Sequence, residues 1–285
     1  MQASLTIGVA WNGQGDPAAC FDAGAAADFV SEILVSPMDA RAARLAADAS
    51  GGNPKVRILP PGDSGIYSAW NKLVAACSTT HIAFHGIDDL VRPSDEISRA
   101  ISPLLADDLL VCSIAFATPQ GIETAIYHHR ETQPPALSLG RYANAACPEV
   151  CWPVKLVREA GGLDESFRIA GDVDLWFRLR PQARRIDCEA VLLTMLDGGA
   201  SARAKYAQTI WRENRRIARA GRQQVPISNI LISGAFLNGR HLLYRIGGER
   251  FANTVTDALR RLAGKTARYS LMHETADAPS FPFAR

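Results

Sequence analysis

The sequence predicts an α/β protein built on a mostly parallel sheet. Short apolar runs of strand length recur at residues 5–10, 33–35, 56–59 and 81–85, and alanine-rich segments of helical length separate the first three. Each run also stops at turn-forming residues. Strand, helix, strand, helix, strand in that order is the opening of a doubly wound fold.

Residues 5–10 (LTIGVA) end at Trp11-Asn12-Gly13, as a buried strand running into a loop would. Asp16-Pro17 is a helix start, because Asp caps the first turn and Pro needs no partner there, so a helix is expected over 17–30. Residues 33–35 form a second strand stopped by Ser36-Pro37. A helix over 40–49 ends at Gly51-Gly52, and a strand over 56–59 ends at Pro60-Pro61-Gly62. A helix over 67–77 precedes a strand at 81–85. Asp88-Asp89 follow at that strand's carboxyl end, where open α/β sheets hold ligands. Further on, residues 109–117 predict a strand with 122–128 paired to it, and Pro134-Pro135 a loop. Short helices over 154–160 and 173–179 flank Gly161-Gly162-Leu163-Asp164, and 191–195 is a last strand. Residues 202–220 read as an Arg-rich helix. Residues 227–263 read as helix broken by glycines at 234, 239, 247 and 248, and 275–285 as a loose tail.

With 285 residues the chain can form one large domain or two small ones, each with a sizeable core. No run reaches the roughly 20 apolar residues that span a bilayer, and the opening MQASLTIGVAWNG lacks a basic signal region, so a cytoplasmic location is expected. The net charge of +2 conceals an asymmetry. Residues 203–268 carry 14 Lys and Arg against 3 Asp and Glu, a net +11, whereas residues 1–202 carry a net −8. Six scattered cysteines with no CxxC pair read as buried free thiols rather than a zinc site.

Paired carboxylates at a strand end suit hard-cation chemistry, since their oxygens bind Mg²⁺ or Mn²⁺ beside a diphosphate. The plain alternative is a helix cap with a solvated acid. Context comes from Asp63-Ser-Gly-Ile-Tyr-Ser-Ala-Trp-Asn-Lys72, an apolar strand, and Gly86-Ile-Asp-Asp89. It continues at Gly161-Gly-Leu-Asp-Glu-Ser-Phe-Arg-Ile-Ala-Gly-Asp-Val-Asp-Leu-Trp-Phe-Arg178 and at Asp197-Gly-Gly-Ala-Ser201. Three motifs in this order, over roughly residues 5–201, resemble the family 2 glycosyltransferases of the GT-A fold, particularly their bacterial polysaccharide and lipopolysaccharide branch.

The resemblance implies an inverting transfer of a sugar from a nucleoside diphosphate sugar, a UDP-sugar above all, to a glycan or lipid-linked acceptor. Asp172 matches the general base and Asp89 the metal ligand, with Asp88 touching metal or ribose. Asp63, Gly65, Ile66, Asn71 and Lys72 match the donor-binding stretch. Lys72 on its own reads equally as a surface lysine, and Tyr67 and Trp70, three apart, as core packing. The chain departs from the family at Ser36-Pro-Met-Asp39, where only Asp39 keeps an acid to read the nucleotide. It departs again at Gly86 and at Cys147-Pro148. Ala10, Trp11 and Asn12 are candidate donor contacts, with Trp11 offering either a face for the base or a cap on the core.

The organisation expected is a glycosyltransferase domain over 1–202, a basic helical extension over 203–268 and a tail over 269–285. Arg212, Arg215, Arg216, Arg219 and Arg222 recur at helical spacing. The apolar residues Ile230, Leu231, Ile232, Phe236, Leu237, Leu242, Leu243 and Ile246 follow, a pairing that suits either an anionic membrane surface at the inner face of the cell membrane or packing on the core. No nucleic-acid motif is present. A binding subunit without catalysis is the alternative function.

Overall fold

The computed structural model describes residues 3–117, 123–128, 147–196, 199–220, 227–264 and 269. The predicted loop at Pro134-Pro135, the tail over 275–285, Asp197, Gly198 and Arg222 lie outside them. Four parallel strands form one half of the sheet: β1 (Leu5–Trp11), β2 (Val30–Pro37), β3 (Val56–Ile58) and β4 (His81–His85), in the spatial order β3-β2-β1-β4. Helices α1 (Pro17–Ala26), α2 (Ala40–Ser50) and α3 (Ile66–Ala76) connect them.

The expected helix over 17–30 stops four residues short. Ala27 is already extended, Val30 opens β2, and Lys55 Nζ takes the carbonyls of Ala25 and Ala27 at 2.9 and 3.3 Å. Asp16 caps α1 through the Ala18 N–H, as the Asp-Pro pair predicts.

The second half of the sheet mixes directions. It holds β5 (Leu90–Val91), β6 (Asp108–Ala117), β7 (Glu123–His128), β8 (Val150–Pro153) and β9 (Arg184–Leu196), and β8 joins it to β4. The pairing of 122–128 with 109–117 is realised as an antiparallel β6–β7 hairpin. Strand β9 runs well beyond the expected 191–195 because it pairs with β6 along both of β6's halves. Three elements carry no strong pattern in the sequence: β5 and β8 are two and four residues long, and α4 (Asp95–Ile101) is signalled only by Ser94, which caps it.

Two apolar layers cover the two faces of the sheet. One gathers Leu73, Ile82, Phe84, Trp152 and Trp176 under α3, α5 (Val154–Glu159) and α6 (Gly171–Leu179); the other gathers Leu5, Ile7, Val9, Trp11, Phe21 and Ile97 under α1, α2 and α4. The six cysteines are free and buried.

Helix α7 (Ala207–Arg219) belongs to the first layer through Ile217, which is fully buried. Helix α8 (Ile227–Leu262) follows, and of its four predicted glycine breaks only Gly248 departs from helical geometry (φ 74°, ψ −172°), a left-handed conformation that favours glycine. Among the described residues no helix is long and apolar enough to cross a membrane.

Candidate active site

The order β2-β1-β4 makes the gap between β1 and β4 a topological switch point, and both strands point their carboxyl ends into it. The loop after β1 turns through Gly13 and Gly15, both at φ +83°. A Cβ on Gly15 would stand 2.9 Å from Asp88 Oδ1, so only glycine lets this loop lie against the acidic pair.

Asp88 is exposed and Asp89 buried. Asp89 Oδ2 accepts the Gly86 N–H at 2.7 Å and the Asp89 N–H returns to the Gly86 carbonyl at 3.2 Å, which closes a tight loop. Burial, with the Asp88 charge adding to it, pushes Asp89 up to about 7, and burial also raises Asp88. Among the described residues no cation pairs with them. His85, which ends β4, is neutral because burial pushes it down to about 3, and neither ring nitrogen has a partner among the described residues. Two adjacent carboxylates with no counter-charge among the described residues have the chemistry to take up a hard divalent cation, with Asp88 the outward group, and no third His, Cys, Asp or Glu joins them there among those residues.

Asp172 sits in the first turn of α6. The Tyr67 hydroxyl, from α3, accepts the Gly171 N–H at 2.8 Å and hydrogen-bonds the Asp172 carboxylate. A Cβ on Gly171 would lie 2.7 Å from the Tyr67 ring, so this glycine is required by the close approach. Burial, reinforced by the Glu213 charge, outweighs these hydrogen bonds and raises Asp172 to about 6. Tyr67 is buried, as packing predicts, and burial together with the Asp172 charge raises its hydroxyl. Cys147 links the two acidic centres: burial, then the charges of Asp172, Asp89 and Glu149, push its thiol up. Asp174 faces away and pairs with Arg178 at 2.8 Å, in line with a structural role.

The residue that the sequence does not reveal is Glu213. Its carboxylate, delivered by α7, accepts three consecutive backbone N–H groups, from Arg168 (2.7 Å), Ile169 (3.0 Å) and Ala170 (2.8 Å). It therefore fixes the loop that leads into Asp172. The arginine spacing on α7 signals only charge of the opposite sign. Arg216, read as one member of an outward cationic face, is spent on the same region: it bonds Asp164 at 2.6 Å and Ser166 at 2.7 Å and lies 4.2 Å over the Phe167 ring.

The donor-binding candidates divide. Asp63, Ser36 and Lys72 cluster at the ends of β2 and β3: Asp63 accepts the Ser36 hydroxyl at 2.7 Å and Lys72 Nζ at 3.2 Å, and Lys72 also reaches the Pro60 carbonyl. Asn71 is committed elsewhere. Its Nδ2 donates to the Leu163 carbonyl and Glu165, its Oδ1 accepts the Leu163 N–H at 2.7 Å, and it thereby ties α3 to the Gly161-Gly162 turn. Asp39 is exposed and caps α2 through the Ala42 N–H at 2.7 Å. Trp11 is 1% exposed, so the face suggested for a base is closed by the core, and its indole N–H bonds the Gln14 carbonyl. Ala10 is buried beside it, and Asn12 Oδ1 holds the Gln14 N–H at 3.0 Å. Gly65 precedes α3 in extended backbone with open space around it, and Ile66 packs on the core.

Neither a family profile nor a curated protein matches the sequence. Solved structures do match. S. aureus TarS 1–349 superposes with a TM-score of 0.57 at 13% identity, covering 98% of this chain and 93% of that one, and its complex with UDP-GlcNAc gives 0.56 at 12%, covering 97% and 91%. Against a longer TarS chain the score is 0.54 at 14% identity, and this chain spans 44% of that length. The mannosyltransferase PcManGT from Pyrobaculum calidifontis, in complex with GDP-Man and Mn²⁺, gives 0.57 at 14% identity, covering all of this chain and 78% of that one. At these identities the likeness speaks for the fold: the chain has the GT-A fold of the glycosyltransferases, a mostly parallel sheet flanked by helices.

Proposed function

We propose that the protein is an inverting glycosyltransferase that moves a sugar from a nucleoside diphosphate sugar to a hydroxyl of a glycan or lipid-linked acceptor. The observation that carries this reading is Asp172: a carboxylate raised by burial to about 6, hydrogen-bonded by Tyr67 and preceded by a fixed loop, whose charge acts with that of Asp89 on the Cys147 thiol. A carboxylate in that range is mostly ionised at neutral pH and still basic enough to take a proton in a transition state. In the step, Asp172 accepts the acceptor's hydroxyl proton and the acceptor oxygen bonds to the anomeric carbon. The bond from that carbon to the diphosphate oxygen breaks from the opposite face, and the electron pair leaves with the diphosphate.

Asp88 and Asp89 would hold Mg²⁺ or Mn²⁺, which when bound neutralises charge that grows on the diphosphate. Asp63, Ser36 and Lys72 form a polar ledge at the ends of β2 and β3, suited to the nucleotide. UDP is the favoured nucleotide, supported by the fold shared with a UDP-GlcNAc complex and weighed against the GDP-Man complex of the second neighbour. Residues 1–202 form the catalytic body, and in residues 203–268 the helix α7 completes the site through Glu213.

The test is release of nucleoside diphosphate from a panel of UDP-, GDP- and dTDP-sugars with Mn²⁺. We expect metal-dependent turnover that Asp172→Asn abolishes while donor-induced thermal stabilisation persists. Unchanged turnover in that variant would overturn the reading. Donor binding with no turnover in the unaltered protein would instead assign a binding subunit.

A further inference from the structure

We propose that the outward face of α7 and α8 docks onto an anionic lipid bilayer, lying in its interface. The inference stands on the helices themselves and is independent of the transfer reading. All three acids of this segment turn inward. Glu213 holds the 168–170 loop, and Glu249 takes the Ala204 and Lys205 N–H groups and lies 3.9 Å from Arg240. Asp257 is 1% exposed, accepts the Tyr269 N–H and pairs with Arg260. The cations turn outward: Arg212, Arg215 and Arg219 on α7, and Arg245, Arg250 and Arg261 on α8, are exposed.

Between them runs an apolar stripe. Leu231, Leu242 and Ile246 are 66%, 59% and 69% exposed, and with Ala235 they recur at helical spacing on one face of α8, while Leu237 and Arg240 face the protein. Past the Gly248 break, Phe251, Leu259 and Leu262 continue the exposed apolar character. The flank is set by Trp211 of α7. A Cβ on Gly234 of α8 would meet its ring at 2.8 Å, and Arg215 lies 5.5 Å over that ring, so a cation stands beside the stripe; Arg245 immediately precedes Ile246.

A face of exposed cations and large aliphatic side chains, with its acids withdrawn, selects its partner by charge. Two copies meeting across a two-fold axis would set like charges against each other. Nucleic acid would pair with the arginines and leave the leucines and isoleucine in water. A bilayer with anionic headgroups satisfies both, because the phosphates meet the arginines while the apolar side chains enter the acyl boundary. The protein meets this surface in plane, since no described helix is suited to cross it.

The experiment is flotation of the full chain, without nucleotide, on phosphatidylcholine vesicles with and without about one-third phosphatidylglycerol. We expect flotation only with phosphatidylglycerol. Arg215→Ala and Arg245→Ala should each weaken partitioning about fivefold, and Leu242→Glu with Ile246→Glu should abolish it. Circular dichroism melts should stay unchanged because these side chains are exposed. Absence of flotation on anionic vesicles, or flotation indifferent to all four substitutions, would overturn the proposal. So would a dimer in light scattering that Leu242→Glu dissociates without any vesicle binding, which would give the face to a second copy.

Discussion

Replacing Glu213 offers the most direct way to separate a fixed catalytic loop from a merely adjacent one. In Glu213→Ala, three backbone N–H groups at 168–170 lose a charged acceptor. Hydrogen bonds to charged groups contribute roughly 1.5–3 kcal/mol each, but these three share one carboxylate and the Arg168 bond is exposed to water, so the expected loss is about 3 kcal/mol. For 285 residues the unfolding entropy is roughly 0.6 kcal/mol/K, which converts the loss to a fall in Tm of about 5 °C. Glu213→Gln should lose about half as much. Its single carbonyl oxygen can still serve Ile169 and Ala170, which share Oε2, while its amide would face the Arg168 N–H donor to donor.

A second readout distinguishes loop positioning from stability alone. The groups around Asp172 are Tyr67 from α3, Cys147 ahead of β8 and Glu213 from α7, and Glu213 is the neighbouring charge that raises it. Without that charge the carboxylate ionises more readily, so the acid limb of the kcat/KM profile, which reports the free enzyme, should move to lower pH in both variants. The assays are differential scanning calorimetry and nucleotide release against pH. A Tm within about 1 °C of the parent and an unmoved acid limb in Glu213→Ala would refute the reasoning.

Three further outcomes are expected. The kcat/KM of the parent should fall about tenfold per pH unit below about 6, because the base must be ionised to accept the proton; a value that is flat from pH 7 to 5 argues for a different base. Gly171→Ala forces a Cβ to within 2.7 Å of the Tyr67 ring and should cost about 1–3 kcal/mol in urea unfolding, along with most of the activity; a neutral substitution would mean that the ring yields freely. Asp88→Asn should remove the thermal stabilisation that Mn²⁺ gives in the presence of nucleotide, since Asp88 is the outward carboxylate of the pair; an undiminished shift would place the metal elsewhere.

Much of the architecture was legible because its signals are local. The apolar run at 81–85 is β4 residue for residue, the helix beginning at Ala40 ends within a residue of its glycine stop, and Asp88-Asp89 stand at the strand end where a ligand would be met. Asp16 announces a helix start through a bond that reaches two residues along the chain. The charge division is equally a property of the chain alone: +11 in residues 203–268 can be counted without coordinates.

Only the tertiary structure decided what each polar residue does, because that depends on partners far away in sequence. Tyr67 meets Gly171 across 104 residues, Asn71 meets Leu163 across 92, and Glu213 meets Ala170 across 43. No periodicity or capping pattern spans such separations. The helix carrying Tyr67 and Asn71 was therefore readable, while the commitment of Asn71 to a turn and of Tyr67 to Asp172 was not. The same holds for Trp11, whose place at a strand's end left two roles open until packing buried its ring. Composition determined that the C-terminal segment is basic; folding determined that Glu213 turns inward to fix the loop before Asp172, while Arg212, Arg215 and Arg219 of the same helix stay exposed. The physical reason is the same in each case: backbone preference acts over a turn, whereas burial and hydrogen-bond satisfaction are settled only when distant elements pack.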